Sequence, residues 1–440
     1  MRRKIERQLL DWKSSPDRKP LLLNGARQVG KTYILEEWLG RYHFKNCVRV
    51  NLAQNASMVQ TFEGDLKPWR IIEAIEASYG VKIVPGETLI ILDEIQKSGR
   101  ALMSLKMFCE EAPEYHVAAA GSLLGVKIKK DESIYPVGKV KNLDLYPMDM
   151  EEFLWATGRE ELASQIREHF SDLSPMPEAS HKAALEAYRQ YLVVGGMPEA
   201  VQKYAASGSV ITAAEEQMDI LKDYMADTTQ YATESESVKI RACYNSIPSQ
   251  LAKENLKFQY KVVRKGGTAT IFGESLDWLK YAGLIYQCDL VDSAFLPLKA
   301  YVDPSDFKIY MNDVGLLTQH SGMPVQLLLS EIEVDNTFMG GMTENYVAQA
   351  LTAAGHKLYY WKNENVGEID FVLQAEDGVI PIEVKKARRT KSVSFNKFRQ
   401  LYSSTQAIRF SKKNFGQVDN LKAIPLYAIF CMEVESNNEE

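Results

Sequence analysis

Short apolar runs, each closed by a polar or small residue, recur through the first third of the chain. Leu21-Leu22-Leu23 runs into Asn24, Leu89-Ile90-Ile91-Leu92 into Asp93, and Val117-Ala118-Ala119-Ala120 into Gly121. Apolar residues in succession, without alternation, predict strands covered on both faces. The strand ranges read this way are 20–24, 47–51, 88–93, 115–120 and 140–145. Segments with helical spacing lie between them, so residues 1–147 are expected to form an α/β domain with a doubly wound parallel sheet. Ile5, Leu9 and Trp12 are spaced for a short helix over 4–13, ahead of the first strand.

From Pro147 the pattern changes to helical periodicity, which predicts a helical region over 148–235. Leu192-Val193-Val194-Gly195-Gly196-Met197-Pro198 interrupts it and reads as a helix end, a tight turn and a new helix near Pro198. In the region 236–330, residues 236–290 hold three short helical stretches and a polar loop, Lys265-Gly266-Gly267-Thr268. That order suits a winged-helix-like region or, equally, a packing unit without DNA contact. Its basic residues are few: Lys257, Lys261, Arg264 and Lys265.

Residues 335–440 read as a last α/β unit. A helix near 342–354 precedes a strand at 357–361. Strands at 368–374 and 379–384 form a hairpin around Glu376-Asp377-Gly378, and a helix at 392–403 follows. The tail Ser436-Asn437-Asn438-Glu439-Glu440 is polar and expected to be disordered.

Composition narrows the class. The 440 residues suffice for two to four domains, with 45% hydrophobic and 25% charged positions. A net charge of −6 argues against a strongly basic nucleic-acid coat, though not against a local patch. Cys47, Cys109, Cys243, Cys288 and Cys431 are scattered without a Cys-x2-Cys pair, which points to a reducing compartment and no structural zinc. No apolar run reaches the roughly 18–20 residues needed to cross a bilayer. The basic start, Met1-Arg2-Arg3-Lys4, has no apolar segment behind it to make a signal peptide. A cytoplasmic protein without membrane contact is expected.

The densest chemistry is Gly25-Ala26-Arg27-Gln28-Val29-Gly30-Lys31-Thr32, a Gly-x4-Gly-Lys-Thr phosphate loop between a strand and a helix. Its glycines allow backbone N–H groups to approach phosphate oxygens, and the helix that follows presents its positive end. Lys31 is expected at the β- and γ-phosphates and Thr32 at Mg²⁺. A second motif answers it: the apolar run ending in Asp93-Glu94. Asp93 is expected to bind Mg²⁺, and Glu94 to polarise the attacking water, which makes ATP hydrolysis with Mg²⁺ the expected chemistry. Ser122, just beyond the next strand, reads either as a γ-phosphate sensor or as a turn or cap serine.

A second constellation lies near the end. Glu383 and Lys385 are two apart on one strand and so face the same side. Asp370 on the paired strand and Glu344 on the preceding helix are expected to join them around one divalent metal ion. Carboxylates plus a lysine can hold Mg²⁺ or Mn²⁺ and activate water against a phosphodiester. Lys385, Lys386, Arg388, Arg389, Lys391, Lys397 and Arg399 make a basic stretch that could track a phosphate backbone or form a solvated helix face.

The order Glu…Asp-x12-Glu-x-Lys resembles the PD-(D/E)xK nuclease superfamily. Nearly the whole chain resembles bacterial and archaeal AAA-type ATPases with a C-terminal DUF4143 region. That likeness rests on the phosphate loop, Asp93-Glu94 with Ile95-Gln96-Lys97, Gly121-Ser122, Leu145-Tyr146-Pro147-Met148-Asp149-Met150-Glu151-Glu152-Phe153-Leu154, Gly195-Gly196-Met197-Pro198-Glu199, the stretch from Lys308 to Leu317 and Pro381-Ile382-Glu383-Val384-Lys385. The resemblance implies ATP binding, a helical lid, a winged-helix-like middle and a nuclease-like end, either working or kept as an interaction module. Gly138-Lys139 stands where the family carries Gly-Arg, so no arginine acts from that position. Arg100 and Arg159 are candidates for an arginine lent to a neighbouring subunit in a homo-oligomer. DNA, RNA or a protein is the expected partner of ATP turnover.

Overall fold

The computed structural model describes residues 1–330, 337–376, 378–385 and 393–434. It divides into two compact units. One is Arg2–Tyr146 with Tyr281–Gly283; the other holds Met1 and the described residues of Pro147–Lys280 and Leu284–Glu440.

The first unit is built on a parallel sheet of β1 (Leu21–Asn24), β2 (Asn46–Asn51), β3 (Thr88–Asp93), β4 (His116–Ala120) and β5 (Lys141–Asp144), in the order β2-β3-β4-β1-β5. Each lies within a residue or two of the range read from its apolar run. Every residue of β3 and β4 is buried, as unalternating runs require. The helices Met58 and Phe62, Ile71 and Ile75, and Leu102 and Leu105 come from pack on Ile90 and Leu92 in one apolar cluster. The non-sequential order places β1 beside β4, so the loop after β1 and the ends of β3 and β4 share one edge of the sheet.

The second unit begins with helices Met150–Ala156, Glu160–Asp172, Glu178–Val194, Pro198–Ser207 and Val210–Tyr231. The turn at Gly195-Gly196 is as the sequence predicts, and a buried carboxylate holds it. Asp313 accepts from Gly196 N at 2.6 Å, from Leu316 N at 2.9 Å and from Gln349 Nε2 at 3.4 Å. Its side chain is fully buried, and burial pushes the carboxyl up to about 6.

Helices Glu234–Leu251, Tyr260–Val263 and Ala269–Tyr281 are followed by an antiparallel pair, β6 (Ile285–Val291) and β7 (Val302–Met311). That pair is not a free wing. β6 also pairs in parallel with β8 (Tyr359–Asn363), and β8 with β9 (Gly367–Ile369), in the order β7-β6-β8-β9. Apart from Tyr281–Gly283, the described residues of 148–235, 236–330 and 335–440 thus fall within this one compact unit.

The strand expected at 368–374 is broken. β9 ends at Ile369, and β10 (Phe371–Ala375) enters a different sheet with β11 (Gly378–Val384), β12 (Ala407–Ser411), β13 (Gly416–Val418) and β14 (Leu421–Pro425), in the order β10-β11-β12-β14-β13. Asp370 is the break, and its carboxylate is drawn aside to accept from Val384 N at 2.7 Å. The helices expected at 342–354 and 392–403 are Thr337–Ala353 and Val393–Leu401. Asp377 of the hairpin turn, Lys386, Arg388, Arg389 and Lys391 of the basic stretch, and the polar tail lie outside the described residues.

Among the described residues no helix is long and apolar enough to cross a membrane. All five cysteines are free thiols.

Candidate functional site

The phosphate loop leaves β1 at Asn24 and enters the helical stretch that opens at Lys31. Gly25 sits at φ +143, where a Cβ would lie 2.3 Å from Leu145 O, so only glycine passes. Lys31 is 8% exposed and donates through Nζ to Gly25 O at 2.8 Å and Ala26 O at 2.7 Å. The ammonium is therefore folded over its own loop. Arg27, Gln28, Val29 and Gly30 complete the turn, with Gln28 in the left-handed region at φ 65.

The parallel register places the end of β3 beside this loop. Thr32 Oγ1 donates to Asp93 Oδ2 at 3.3 Å. Asp93 is 5% exposed. Burial pushes its carboxyl up and the Glu94 charge adds to this; Arg49, the Glu94 N–H and the Thr32 hydroxyl pull the other way. A hydroxyl and a buried carboxylate meeting at one point make a hard-oxygen pair suited to Mg²⁺, so the residues present fit that ion.

Glu94 follows Asp93 with φ 54 and ψ 41, a left-handed residue that turns its side chain out of the strand line. Gln96 Nε2 donates to Glu94 Oε2 at 2.5 Å. Gln96 itself is buried, and its Oε1 accepts no hydrogen bond from the described residues. That oxygen lies against Gly121 at the tip of β4, where a Cβ would come within 2.2 Å of it. Ser122 follows, half-buried in the turn before helix Leu124–Lys130.

Three residues here were not singled out by sequence reasoning for what they do. Arg3 braces the loop, donating to Val29 O at 3.0 Å and Tyr146 O at 2.7 Å. Arg49 on β2 lies 3.6 Å from Asp93 Oδ2 and 2.7 Å from Glu36 Oε2. Gln96 holds Glu94. The only signal was position: Arg49 lies two residues before the end of a strand paired with β3. Of the arginines considered for a neighbouring subunit, Arg100 is tied down, donating to Phe62 O at 2.9 Å and Gly64 O at 2.7 Å. Lys139 pairs with Glu110 at 2.9 Å.

The C-terminal constellation is arranged differently from the expectation. Glu383 and Lys385 do share a face, with Oε1 and Nζ 2.8 Å apart, but the other oxygen of Glu383 takes Arg409 Nε at 2.7 Å. Glu344 pairs instead with Lys308, which also holds Glu368, and Asp370 accepts from Val384 N at 2.7 Å. Lys308 Nζ lies 2.6 Å from Glu368 Oε1 and 3.4 Å from Glu344 Oε2, and Tyr310 Oη donates to Glu344 Oε2 at 3.2 Å. Burial alone would push Lys308 down, but Glu344, Tyr310, Glu368 and Asp370 outweigh it and hold the ammonium well above its ordinary range. Burial and the Glu344 charge push Asp370 up.

Among the described residues, the group of acids whose oxygens lie within 4.8 Å of one another is Asp149, Glu151 and Glu433. Arg167 already pairs with Glu151 and reaches Glu433 at 3.3 Å. Asp149 caps its helix by accepting from Glu152 N. These contacts account for that group structurally.

Three stretches of the chain match known families. Residues 17–154 match an AAA domain, residues 185–327 a domain of unknown function (DUF8612) and residues 339–429 another (DUF4143). Over 202 residues, 46% of the chain, the sequence is 26% identical to an uncharacterized protein of Methanocaldococcus jannaschii; the match spans 40% of that protein's length. Similar solved structures include the Walker-type ATPase PABY2304 of Pyrococcus abyssi, with a TM-score of 0.42 and 16% identity over 72% of this chain and 95% of that one. They also include the ORC1 protein of Aeropyrum pernix, solved in complex with DNA, with a TM-score of 0.30 and 12% identity over 75% of this chain and 95% of that one. The chain therefore carries an AAA-type P-loop domain near its start and a DUF4143 region near its end.

Proposed function

We propose that the first unit binds ATP with Mg²⁺ and hydrolyses it. The observation that carries this reading is the meeting of Thr32 Oγ1 and Asp93 Oδ2 at 3.3 Å beside Lys31. In the bound state Mg²⁺ supplies charge neutralisation between the phosphates. The loop N–H groups from Ala26 to Thr32 receive the phosphate oxygens. Lys31 exchanges its hydrogen bonds to Gly25 O and Ala26 O for the β- and γ-phosphates. Arg49, 3.6 Å from Asp93 Oδ2, opposes the upward push of burial on that carboxyl. Glu94 orients the attacking water and takes its proton. Ser122, at the tip of the strand next to β3, contacts the γ-phosphate.

The test is a pair of variants. Lys31→Ala is expected to lose tight nucleotide binding, while Glu94→Gln keeps binding and loses turnover. Unchanged turnover in both removes the reading.

ATP turnover is proposed to serve nucleic-acid binding through the second unit. The support is the order of three helices followed by the β6–β7 hairpin, with Lys261 exposed on the second helix and Arg264 and Lys265 exposed between the second and third. That is the order of a winged-helix module. The expected outcome is that DNA or RNA stimulates ATP hydrolysis and that Lys261, Arg264 and Lys265 changed together to Ala abolish the stimulation. A second reading, in which the second unit holds a protein partner and the ATPase acts as a scaffold or sensor, is favoured by the ion pairs of Glu344 with Lys308 and of Glu383 with Lys385 and Arg409. Nucleic acid without effect on turnover decides for it. Glu344, Asp370, Glu383 and Lys385 as a working nuclease remain the nuclease form of the first reading, tested by Mn²⁺-dependent nicking that Asp370→Ala removes.

A further inference from the structure

Three residues from the middle of the chain belong with the phosphate loop. Tyr281–Gly283 falls within the first unit, although the chain reaches it along the helix Ala269–Tyr281 and leaves it into β6 of the second. The turn is seated by a missing side chain on each side. Gly283 lies just past the helix at φ +71, and a Cβ there would stand 3.3 Å from Ala26 N and 3.6 Å from Ala26 Cα. Gly125, in the helix Leu124–Lys130 that follows Ser122, takes the other side: its Cβ would stand 2.5 Å from Tyr281 O. Ala282 between them is buried, and Lys129 lies over the Tyr281 ring with Nζ 6.0 Å from the centroid.

Both contacts fall on segments of the nucleotide site. Ala26 is buried, and its carbonyl is one of the two that hold Lys31 Nζ. When Lys31 turns to the phosphates, Ala26 loses that bond. Packed backbone this close does not compress, so Ala26 cannot move towards the turn without moving it. Beyond the turn, two backbone bonds tie it into the second unit. Leu284 N donates to Leu279 O at 3.0 Å, and Asn312 N donates to Leu284 O at 3.1 Å. The residue after Asn312 is Asp313, which holds the Gly195-Gly196 turn.

We propose that the Tyr281–Gly283 turn regulates the nucleotide site. It backs Ala26 in the nucleotide-bound loop, and it passes occupancy of that loop to the helix Ala269–Tyr281 and the β6–β7 pair. This rests on the ATP reading above and adds which part of the second unit feels the nucleotide.

The experiment follows backbone hydrogen exchange in the full chain, with and without the non-hydrolysable ATP analogue adenylyl imidodiphosphate and Mg²⁺. The Leu284 and Asn312 amides are expected to exchange at least about fivefold more slowly with the analogue bound, the low end of coupling between distinct sites. Gly283→Ala is expected to weaken binding of the analogue by at least about fivefold as well. Gly322→Ala is the control. That glycine has φ +70 and nothing within 4 Å of an added Cβ, so it shares the backbone strain without the close approach. It is expected to lower the melting temperature as Gly283→Ala does and to bind the analogue like the wild type. An analogue that binds the wild type and leaves both amides unchanged overturns the proposal. So does a Gly283→Ala chain that binds it as tightly as Gly322→Ala. The exchange measurement on the wild type needs no substitution, so it decides even where Gly283→Ala does not fold. A wild-type chain that takes up no analogue removes the ATP reading and the proposal with it, whereas the two outcomes before it leave that reading standing.

Discussion

Two buried lysines divide the molecule's chemistry between them. Lys31 and Lys308 are each nearly excluded from solvent, but their partners differ in kind. Lys31 rests on two carbonyls of its own loop, neutral acceptors that a phosphate can displace. Lys308 rests on two carboxylates, with a third nearby, and its charge is already balanced. The first arrangement is prepared for an anion and the second is satisfied without a ligand. The same side chain, buried to a similar degree, thus marks a binding site in one case and a closed ion-pair core in the other. The charge of the neighbouring acceptors decides which.

The comparison breaks most sharply in stability. Removing one partner of a buried ion pair costs about 3–5 kcal/mol, so Lys308→Met is expected to lower the unfolding free energy by that much. Lys31→Ala removes hydrogen bonds to two loop carbonyls and is expected to cost about 1 kcal/mol or less, while nucleotide binding is lost. Urea unfolding of both variants measures the contrast, and equal losses would erase it.

A third buried charge tests whether burial alone governs such sites. Asp313 is pushed up to about 6 from its ordinary 3.8. Between those values the folded state holds a proton that the unfolded chain has released. The contribution of this group to stability therefore falls as pH rises from 4 to 6, and it is flat above. The wild-type advantage over Asp313→Asn is expected to shrink by about 2–3 kcal/mol across that window, using roughly 1.4 kcal/mol per pH unit. Unfolding midpoints at pH 4, 5, 6 and 7 read it directly. A difference that does not change with pH means the N–H donors of Gly196, Leu316 and Gln349 keep Asp313 ionised.

Smaller effects sharpen the nucleotide side. Gln96→Ala frees Glu94, and loss of a hydrogen bond to a charged group is worth about 1.5–3 kcal/mol, so turnover is expected to fall roughly 10- to 100-fold with nucleotide affinity kept. Gln96→Glu, which places a carboxylate against Glu94, is expected to be no better. At the low end, Lys45 and Glu87 form an exposed pair at 2.5 Å. Lys45→Ala is expected to cost at most about 1 kcal/mol, less at high salt.

The nucleotide site was legible because its chemistry is local. Gly25 to Thr32 is one turn, and the apolar run before Asp93 announces the strand that carries it. What escaped was set by distant partners. Arg3 reaches Val29 and Tyr146 only because the sheet brings the chain start to the loop. Lys308, between Phe307 and Ile309, reads as the outward residue of an alternating strand. Its burial comes from β8 and the helix Thr337–Ala353, which lie later in the sequence. The break at Asp370 was hidden for the same reason: residues 368–374 are uniformly suited to a strand, and only the two separate sheets show that they serve both. Glu383 and Lys385 share a face as their spacing implies, but Arg409, opposite Glu383 on the paired strand β12, was not visible from it.

The sheet β7-β6-β8-β9 also bears on how such chains are inherited. The matched stretches 185–327 and 339–429 have the look of separate cassettes, yet β6 and β7 belong to the first and β8 and β9 to the second. Lys308 comes from one and Glu344 and Glu368 from the other. Recombination between them would unzip a strand pair and leave an ammonium and two carboxylates without counterparts. Lineages that carry one segment are accordingly expected to carry the other, with Lys308 and its acids varying together.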